Sequence, residues 1–274
     1  MKILEWNLNL RTQKGNDFKQ PVVASELVIP EFVGNVLNNI QYDIVVLTEF
    51  IKCYNWKEFV GSLINYNVFI NCDNEDKGVL IAVKKDIEVI EIVREINGLK
   101  NKPAPHFLQV KVRYKQKEIY IIGTRIKVGS GHKEDFEERK KQFDSLKKHI
   151  SLLSKDGLVV TGDFNNAYIR DDYKGRPQES YNYDKIKKWF KEINMKLIEI
   201  EGFSHAGYLK EDHLIVSNYM KAKGVYSEEF ISEENLGQEI YCNIYFKGDY
   251  FNKKDITLPI GYPDHSILKA EIFL

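Results

Sequence analysis

The stretch that decides the fold is GLVVTGDFN, residues 157–165. Its first half is a continuous apolar run without polar alternation, which is typical of a strand covered on both faces. Its second half places a carboxylate, Asp163, directly at the end of that run. A partly buried carboxylate costs several kcal/mol unless it is paired, hydrogen-bonded or bound to a metal. This position therefore predicts polar partners for Asp163.

Four more strand-like runs carry a polar residue at one end. Glu49 follows IVVLT and Asn7 ends KILEWN, whereas Asp212 precedes LIVS and His265 precedes SILKAEI. One such residue is ordinary, because strand ends lead into polar loops. Five of them, drawn from the whole length of the chain, indicate that strand ends converge on one polar site.

Apolar runs of strand length recur along the chain, with helical periodicity between them. The predicted strands cover residues 2–8, 43–50, 66–70, 78–85, 107–114, 118–126, 157–165, 212–217 and 265–274. Amphipathic helices are predicted from Pro30 to Ile40, over 136–153 and over 183–193. Strands outnumber helices by about three to one, which favours two sheets packed face to face with helices outside.

Composition limits the class of protein. The chain has 274 residues with 43% hydrophobic side chains and 40 basic against 40 acidic groups, which excludes a disordered chain. Because it contains no linker or repeat, we expect one domain, 1–274, with a candidate insertion around 218–263. Zero net charge argues against a protein that coats a polyanion, although it leaves nucleic acid open as a substrate.

The cysteines and the N-terminal residues bear on location. Cys53, Cys72 and Cys242 are odd in number and form no metal-type pair, which favours a reducing compartment over a disulfide scaffold. The first residues, MKILEWNLNLRTQKG, lack the apolar stretch of a signal peptide, and no run of 18 apolar residues occurs. We therefore expect a cytoplasmic protein with no membrane association.

The blocks WN, TE, GDFN, DHLIVS and PDHS follow one another in an order that resembles the endonuclease/exonuclease/phosphatase superfamily. That superfamily includes pancreatic-type deoxyribonuclease, exonuclease III and inositol-polyphosphate phosphatases. The resemblance extends from Trp6 to His265 and rests most on GDFN and the terminal DH. It implies a DNase I-like fold, a four-layered α/β sandwich of two mixed β-sheets packed face to face with helices outside. The site would lie where the two sheets open.

The resemblance implies a divalent metal, Mg²⁺ or Mn²⁺. It assigns Glu49 to the metal, with Asn7 beside it and Asp264 as a second ligand. Oxygen ligands suit Mg²⁺, which is typically held by one or two carboxylates together with substrate phosphate. The lack of a Cys/His ligand cluster in the sequence argues against zinc.

The resemblance also implies catalytic roles. Asp163 would orient or deprotonate the attacking water, and Asn165 would donate a hydrogen bond to the phosphoryl oxygens. His265 would contact the scissile phosphate, oriented by a hydrogen bond from its ring to Asp212. These roles suit in-line attack of water on a phosphate ester.

Two positions depart from the family pattern. Arg125 stands in the strand that usually delivers a histidine, or a tyrosine in apurinic endonucleases. An arginine can clamp a phosphate, but it is always charged and cannot act as a general acid. Asn9, a candidate substrate contact, stands where several nucleases carry a metal-binding acid, so metal affinity is expected to be weaker or to rest on Glu49 and Asp264 alone.

Two further features have open interpretations. The loop after GDFN carries Arg170, Lys174 and Arg176 among tyrosines, which suits phosphate binding and base stacking or simply a polar surface. His205, in GFSHAGY, either approaches the site from a neighbouring strand end or lies apart from it.

The leading hypothesis is a hydrolase: a metal-dependent phosphodiesterase that cleaves nucleic acid, with DNA or RNA and endonuclease or exonuclease left open. The first alternative is a phosphatase or phosphodiesterase for a small phosphorylated molecule, such as an inositol phosphate or a nucleotide. The second is a catalytically degenerate binding protein, which Arg125 and Asn9 keep open.

Overall fold

A computed structural model describes residues 1–9, 27–73, 77–96, 104–127, 133–153, 157–169, 183–205, 209–227, 263 and 265–274. The helices are α1 (Glu31–Ile40), α2 (Trp56–Ser62), α3 (Lys133–Leu153) and α4 (Tyr183–Glu192). The strands are β1 (Lys2–Asn7), β2 (Ile44–Phe50), β3 (Tyr66–Asn71), β4 (Gly78–Lys84), β5 (Glu88–Val93), β6 (His106–Tyr114), β7 (Lys117–Arg125), β8 (Gly157–Ile169), β9 (Met195–Leu197), β10 (Leu209–Ser217), β11 (Lys221–Ser227) and β12 (Ile267–Phe273).

The strands form two six-stranded sheets. Sheet one has the order β11-β12-β1-β2-β4-β3, and sheet two has the order β5-β6-β7-β8-β10-β9. Each sheet contains one parallel pair, β1 with β2 and β7 with β8, and its other pairs are antiparallel. The predicted pair of mixed sheets is confirmed.

The two sheets pack face to face over an apolar layer. Alternate residues of the central strands fill it, among them Ile3, Val46, Ile121, Val159 and Leu214, which are all fully buried. The opposite face of β2 also lies in an apolar cluster, through Val45 and Leu47. Both faces of β2 are therefore covered, which explains why its sequence runs IVVL without alternation.

Helices cover the outer faces and complete four layers. Val33 and Leu37 of α1 and Phe59 of α2 belong to the apolar cluster of sheet one. The buried apolar side chains of α3 and α4 belong to the cluster on the outer face of sheet two: Phe143, Leu146, Ile150, Ile186 and Phe190. The three predicted helices are present, whereas the seven-residue α2 is too short to give a clear periodic signal.

Three strands were not predicted from the sequence: β5, β9 and β11. All three lie at sheet edges, and β5 and β11 expose several of their side chains. β9 is only three residues long. In the segment 218–263, residues 221–227 form β11 and most of the remainder lies outside the described residues. Among the helices in the described ranges, none has the length and apolar character needed to cross a bilayer.

Candidate active site

Polar strand ends from both sheets meet at one end of the gap between them. In each parallel pair both strands run the same way, so Asn7 of β1 lies near the end of β2, and Arg125 lies opposite Asp163. Antiparallel pairing places Asp212 opposite Asp163 and brings the start of β12, just after His265, to the end of β1. The topology therefore gathers residues that are up to 258 positions apart.

Side-chain contacts at this end cross the gap from one sheet to the other. Asn7 Nδ2 donates to Asp163 Oδ2 at 3.0 Å, and Arg125 Nε lies 2.6 Å from Glu49 Oε1. His265 Nδ1 lies 2.7 Å from Asp212 Oδ2, which is the hydrogen bond predicted for this pair. The gap is thus closed by polar pairs at this end, where a substrate group would meet residues of both sheets.

Asp163 is the most heavily hydrogen-bonded carboxyl group of the described site. Besides Asn7, it accepts from the backbone N–H of Asn165 at 2.7 Å and from Asn165 Nδ2 at 2.8 Å. Burial, and then the nearby Asp212, raise the pKa of Asp163 to about 8. A general base whose pKa lies near neutrality is well suited to exchange a proton with water.

Asn165 is held in the left-handed region, with φ of 46°, and spends both of its amide protons. One goes to Asp163 Oδ2 and the other to the carbonyl oxygen of Ile126 at 2.7 Å. In this structure the Asn165 amide therefore fixes the orientation of Asp163. The predicted donation to a phosphoryl oxygen requires one of these two hydrogen bonds to open.

Gly162 lets the strand carrying Asp163 run close to β7. Its φ is 145°, and a Cβ at this position would collide with the carbonyl oxygen of Thr124. The glycine of GDFN is therefore required by the approach of two backbones.

Glu49 reaches the gap because of a β-bulge. Thr48 and Phe50 pair with consecutive residues of β4, so Glu49 is an extra residue in β2, and its φ is 53°. Regular alternation would send its side chain to the opposite face from Thr48, toward α1. The bulge instead turns the carboxylate toward the site.

Two cations neutralise Glu49. Arg125 approaches Oε1, and Lys77 forms an ion pair with Oε2. Burial acts to raise the pKa of Glu49, but Arg125 and Lys77 outweigh it and lower that pKa to about 2. Glu49 is therefore a carboxylate at physiological pH.

The oxygen atoms around Glu49 suit a hard cation. Lys77 Nζ binds both Glu49 and Asn9 Oδ1, the latter at 3.0 Å, so an ammonium ion is already held between two side-chain oxygens. A further amide oxygen, Asn7 Oδ1, accepts from the backbone N–H of the same Asn9 at 3.0 Å. Carboxylate and amide oxygens are what Mg²⁺ prefers, so the donor set fits that ion, and Lys77 would compete with it.

The backbones of Asp212 and His265 are also fixed. The Tyr226 hydroxyl donates to the carbonyl oxygen of Asp212, and Trp6 Nε1 donates to the carbonyl oxygen of His265 at 3.0 Å. Both residues are buried, with side-chain exposures of 0% and 6%. The pair is thus held rigidly by contacts on both of its members.

Three site residues escaped the sequence reasoning: Glu5, Lys77 and Glu211. Glu5 is fully buried and accepts from Thr48 Oγ1 at 2.9 Å, and burial followed by the proximity of Asp212 raises its pKa well above the ordinary value. A signal for Glu5 existed, because it stands inside an apolar run two positions before Asn7 and hence on the same face. Lys77 gave no signal, since a lysine before a strand is commonplace.

Two further histidines lie near these residues. His213 packs against the rings of Phe164 and Tyr183, each at 5.6 Å between centroids. His205 approaches the site and stacks on His265, the first of its two interpretations. Asp264, Arg170, Lys174 and Arg176 lie outside the described residues, so their predicted roles remain predictions.

Comparisons with known proteins agree with the fold. No family model and no curated protein matches the chain by sequence. The 3'-5' exonuclease NExo from Neisseria meningitidis is similar in structure, with a TM-score of 0.65, 16% identity and full coverage of both chains. A mannosyl-6-phosphatase from Bacteroides thetaiotaomicron gives 0.61 and 12%, again over both full chains.

A third solved structure carries the superfamily's own description. It is an endonuclease/exonuclease/phosphatase from Bacteroides vulgatus, with a TM-score of 0.59 and 13% identity over all of this chain and 98% of that one. The order of the strands, the two packed sheets and these likenesses agree with the motifs in the sequence. The chain therefore has the DNase I-like fold of the endonuclease/exonuclease/phosphatase superfamily.

Proposed function

We propose that the protein is a divalent-metal-dependent phosphodiesterase that hydrolyses nucleic acid. The observation that carries this proposal is the environment of Asp163. Three donors hold its carboxyl group at 2.7–3.0 Å, between an Asp–His pair on one side and the Arg125–Glu49 ion pair on the other. Metal-dependent hydrolysis of a phosphate ester uses a group that activates water, a histidine that contacts the phosphate and a ligand for the metal, and this arrangement offers all three.

Asp163 takes the central role in the proposed reaction. Its carboxylate orients the attacking water and accepts a proton from it, while Asn7 and Asn165 keep its oxygens in place. His265 donates to the phosphoryl group, and Asp212 holds the ring in position. A divalent cation at Glu49, with Asn7 beside it and Asp264 as the predicted second ligand, would polarise the phosphoryl oxygen.

Arg125 acts mainly through Glu49 in this arrangement. Its Nε lies 2.6 Å from Glu49 and 3.7 Å from Asp163. The charge of Arg125 therefore keeps Glu49 ionised and also lies beside the carboxyl group of Asp163. When a phosphate enters, the remaining guanidinium nitrogens are suited to bind it. Arg170, Lys174, Arg176 and Asn9 are proposed as further substrate contacts on the strength of the sequence.

The test is an activity panel on the purified protein. Single- and double-stranded DNA, an abasic duplex, RNA and small phosphate esters are incubated with Mg²⁺, Mn²⁺ or EDTA, with Asp163→Asn as the matched control. We expect cleavage of a polymer that needs the metal and disappears in the variant. Activity that persists in EDTA or in Asp163→Asn would contradict the proposal.

A second candidate is a phosphatase for a small phosphorylated molecule. Two observations favour it: the zero net charge of the chain, and the structural likeness to a protein described as a mannosyl-6-phosphatase. Release of inorganic phosphate from small esters, with every polymer left intact, would select this candidate.

We also propose a cytoplasmic location. The chain has three cysteines, an odd number, and Cys53 is a buried free thiol. Free thiols are typical of a reducing compartment. Fractionation of the source cells, with an antibody against the protein, tests this.

A further inference from the structure

The proposed reaction leaves one task without a residue. When a phosphodiester is cleaved, the leaving alkoxide is strongly basic and needs a proton, which a positioned acid supplies. Arg125, in the strand where the family usually carries a histidine, cannot supply it, because a guanidinium stays protonated and this one is bound to Glu49. The inference below rests on the proposed function and concerns this missing acid.

A second imidazole lies against the first. The rings of His205 and His265 are 4.6 Å apart between centroids and inclined by only 15°. His205 is the more exposed of the two, with 28% of its side chain accessible against 6% for His265. His205 is therefore the ring of this stack that is open to a group arriving from solution.

Each ring has its own carboxylate on the same strand. His265 Nδ1 faces Asp212 at 2.7 Å, and His205 Nδ1 faces Glu211 Oε2 at 3.1 Å. Burial acts to raise the pKa of Glu211, but the His205 ring outweighs burial and lowers that pKa. Because Nδ1 and Nε2 lie on well-separated edges of an imidazole, both rings present Nε2 away from β10.

Consecutive side chains of a regular strand point to opposite faces of the sheet. In a regular strand, Glu211 and Asp212 could therefore not both face the stacked rings of His205 and His265. Here the strand is distorted. The pairing with β8 shifts register between Lys210 and Asp212, and the backbone N–H groups of Glu211 and Asp212 both donate to Ser204 Oγ, at 2.8 and 3.2 Å. Ser204 thus holds the distortion that aligns two carboxylates with two histidines.

We propose that His205 is a catalytic residue that protonates the leaving oxygen, with Glu211 as its positioning residue. The oxygen of the attacking water bonds to phosphorus, and its proton passes to Asp163. The bond from phosphorus to the leaving oxygen breaks with its electron pair on that oxygen, which takes a proton from His205 Nε2. The products are an alcohol and a phosphate monoester; Asp163 then releases its proton to solvent, and the His205 ring regains one from solvent.

The dependence of the rate on the leaving group tests this role. A nitrophenolate leaves without a proton, whereas the alkoxide of a nucleic acid does not, so wild type and His205→Ala are compared on a bis-nitrophenyl phosphate and on the polymer. We expect kcat on the polymer to fall about 10²–10³-fold, and kcat on the activated ester to fall less than about tenfold.

Matched variants separate proton donation from packing. His205→Phe keeps an aromatic ring against His265 but carries no proton, so it should show the same selective loss as His205→Ala. Glu211→Gln should lose less on the polymer and also spare the activated ester. Thermal unfolding of each variant checks that the fold is retained.

Other outcomes overturn the inference and identify its error. Equal losses on both esters, or full activity in His205→Phe, would mean that the ring acts through packing alone. His205, Glu211 and His265 each offer a ligand atom within 4.8 Å of the others, so coordination is the competing role. If calorimetry shows that His205→Ala no longer binds Mn²⁺ or Zn²⁺, His205 is a metal ligand and not the proton donor. If wild type hydrolyses neither ester, the proposed function itself fails.

Discussion

The gap between the two sheets is filled in two different ways along the same strands. On β1 the inward face changes from Ile3 to Glu5 and Asn7, and on β8 it changes from Val159 to Thr161 and Asp163. The change takes two residues, or about 7 Å of strand. One end of the gap is therefore an apolar core, and the other is a cluster of buried carboxyl groups.

The two ends serve opposite purposes. The apolar end removes side chains from water and stabilises the fold. At the polar end, burial and the neighbouring Asp212 carboxylate raise the pKa of both Glu5 and Asp163, and burying these acidic groups opposes folding. A fold under selection for stability alone would continue the apolar layer to the edge, so the polar end indicates a functional requirement.

The largest effect is expected for Asp163→Asn, which changes the polar end of the gap. We expect the rate of phosphodiester hydrolysis to fall about 10²–10⁴-fold, because the amide cannot accept the proton of water. The free energy of unfolding should change by less than about 2 kcal/mol, because the lost hydrogen bonds are offset by relief of the repulsion with Asp212. Turnover assays and urea denaturation measure the two quantities. Near-normal turnover would mean that the polar end is not the active site.

Ile121→Ala probes the apolar end. The side chain is fully buried between the sheets, so its truncation should lower the free energy of unfolding by about 2–5 kcal/mol. Turnover per folded molecule should stay close to that of wild type. Ile64→Ala is the matched control, because Ile64 is 67% exposed and should lose almost no stability. Similar losses in both variants would contradict the packing described for the gap.

Glu5→Gln changes the residue at the boundary between the apolar and the polar end of the gap. The pKa of Glu5 in the folded state is raised above its ordinary value of 4.5. Its contribution to stability is therefore fully present below pH 4.5 and is lost as the pH rises through the pKa of the folded state. The amide carries no charge and still accepts from Thr48, so we expect a gain on the order of 1 kcal/mol at alkaline pH. Denaturation at pH 5 and pH 9 tests this; a gain at pH 5 alone would reverse the sign.

His149 provides the smallest effect and the opposite sign. It lies on the buried face of α3, outside the gap, where its ring nitrogen Nε2 is 2.8 Å from Gln109 Oε1 and burial lowers its pKa from 6.5. Its contribution to stability is present above pH 6.5 and is lost as the pH falls. His149→Gln should reduce the loss of stability between pH 7 and pH 5 by less than about 1 kcal/mol. If His149→Gln loses as much stability between pH 7 and pH 5 as the wild type, other groups cause the loss of stability at acid pH.

Much of the architecture could be predicted from the sequence because covered strands leave a clear pattern. The runs IVVL and LVV gave β2 and β8, and the spacing of apolar residues gave α1, α3 and α4. The polar ends of those runs identified Asn7, Glu49, Asp163, Asp212 and His265, which the structure brings together. Edge strands such as β5 were missed, because an exposed strand carries no such pattern.

The remaining parts of the site depend on contacts between distant residues. Lys77 meets Glu49 across 28 positions, and only the fold brings the two together. His205 and Glu211 are paired through a distortion of β10 that no local pattern announces. Alternation also predicts the wrong face for Glu49, because the bulge in β2 adds one residue to the strand.

Gly162 affects how homologous sequences should be judged for activity. The backbone of β7 requires a glycine there whether or not the neighbouring aspartate performs chemistry. A homologue that has lost its activity would still keep this letter of the motif, and one that keeps the aspartate without the glycine would have to rebuild its strand pairing. The glycine therefore indicates only that the strand pairing is kept. Asn7 and His265, which contact Asp163 and Asp212 across the gap, are the better markers of activity.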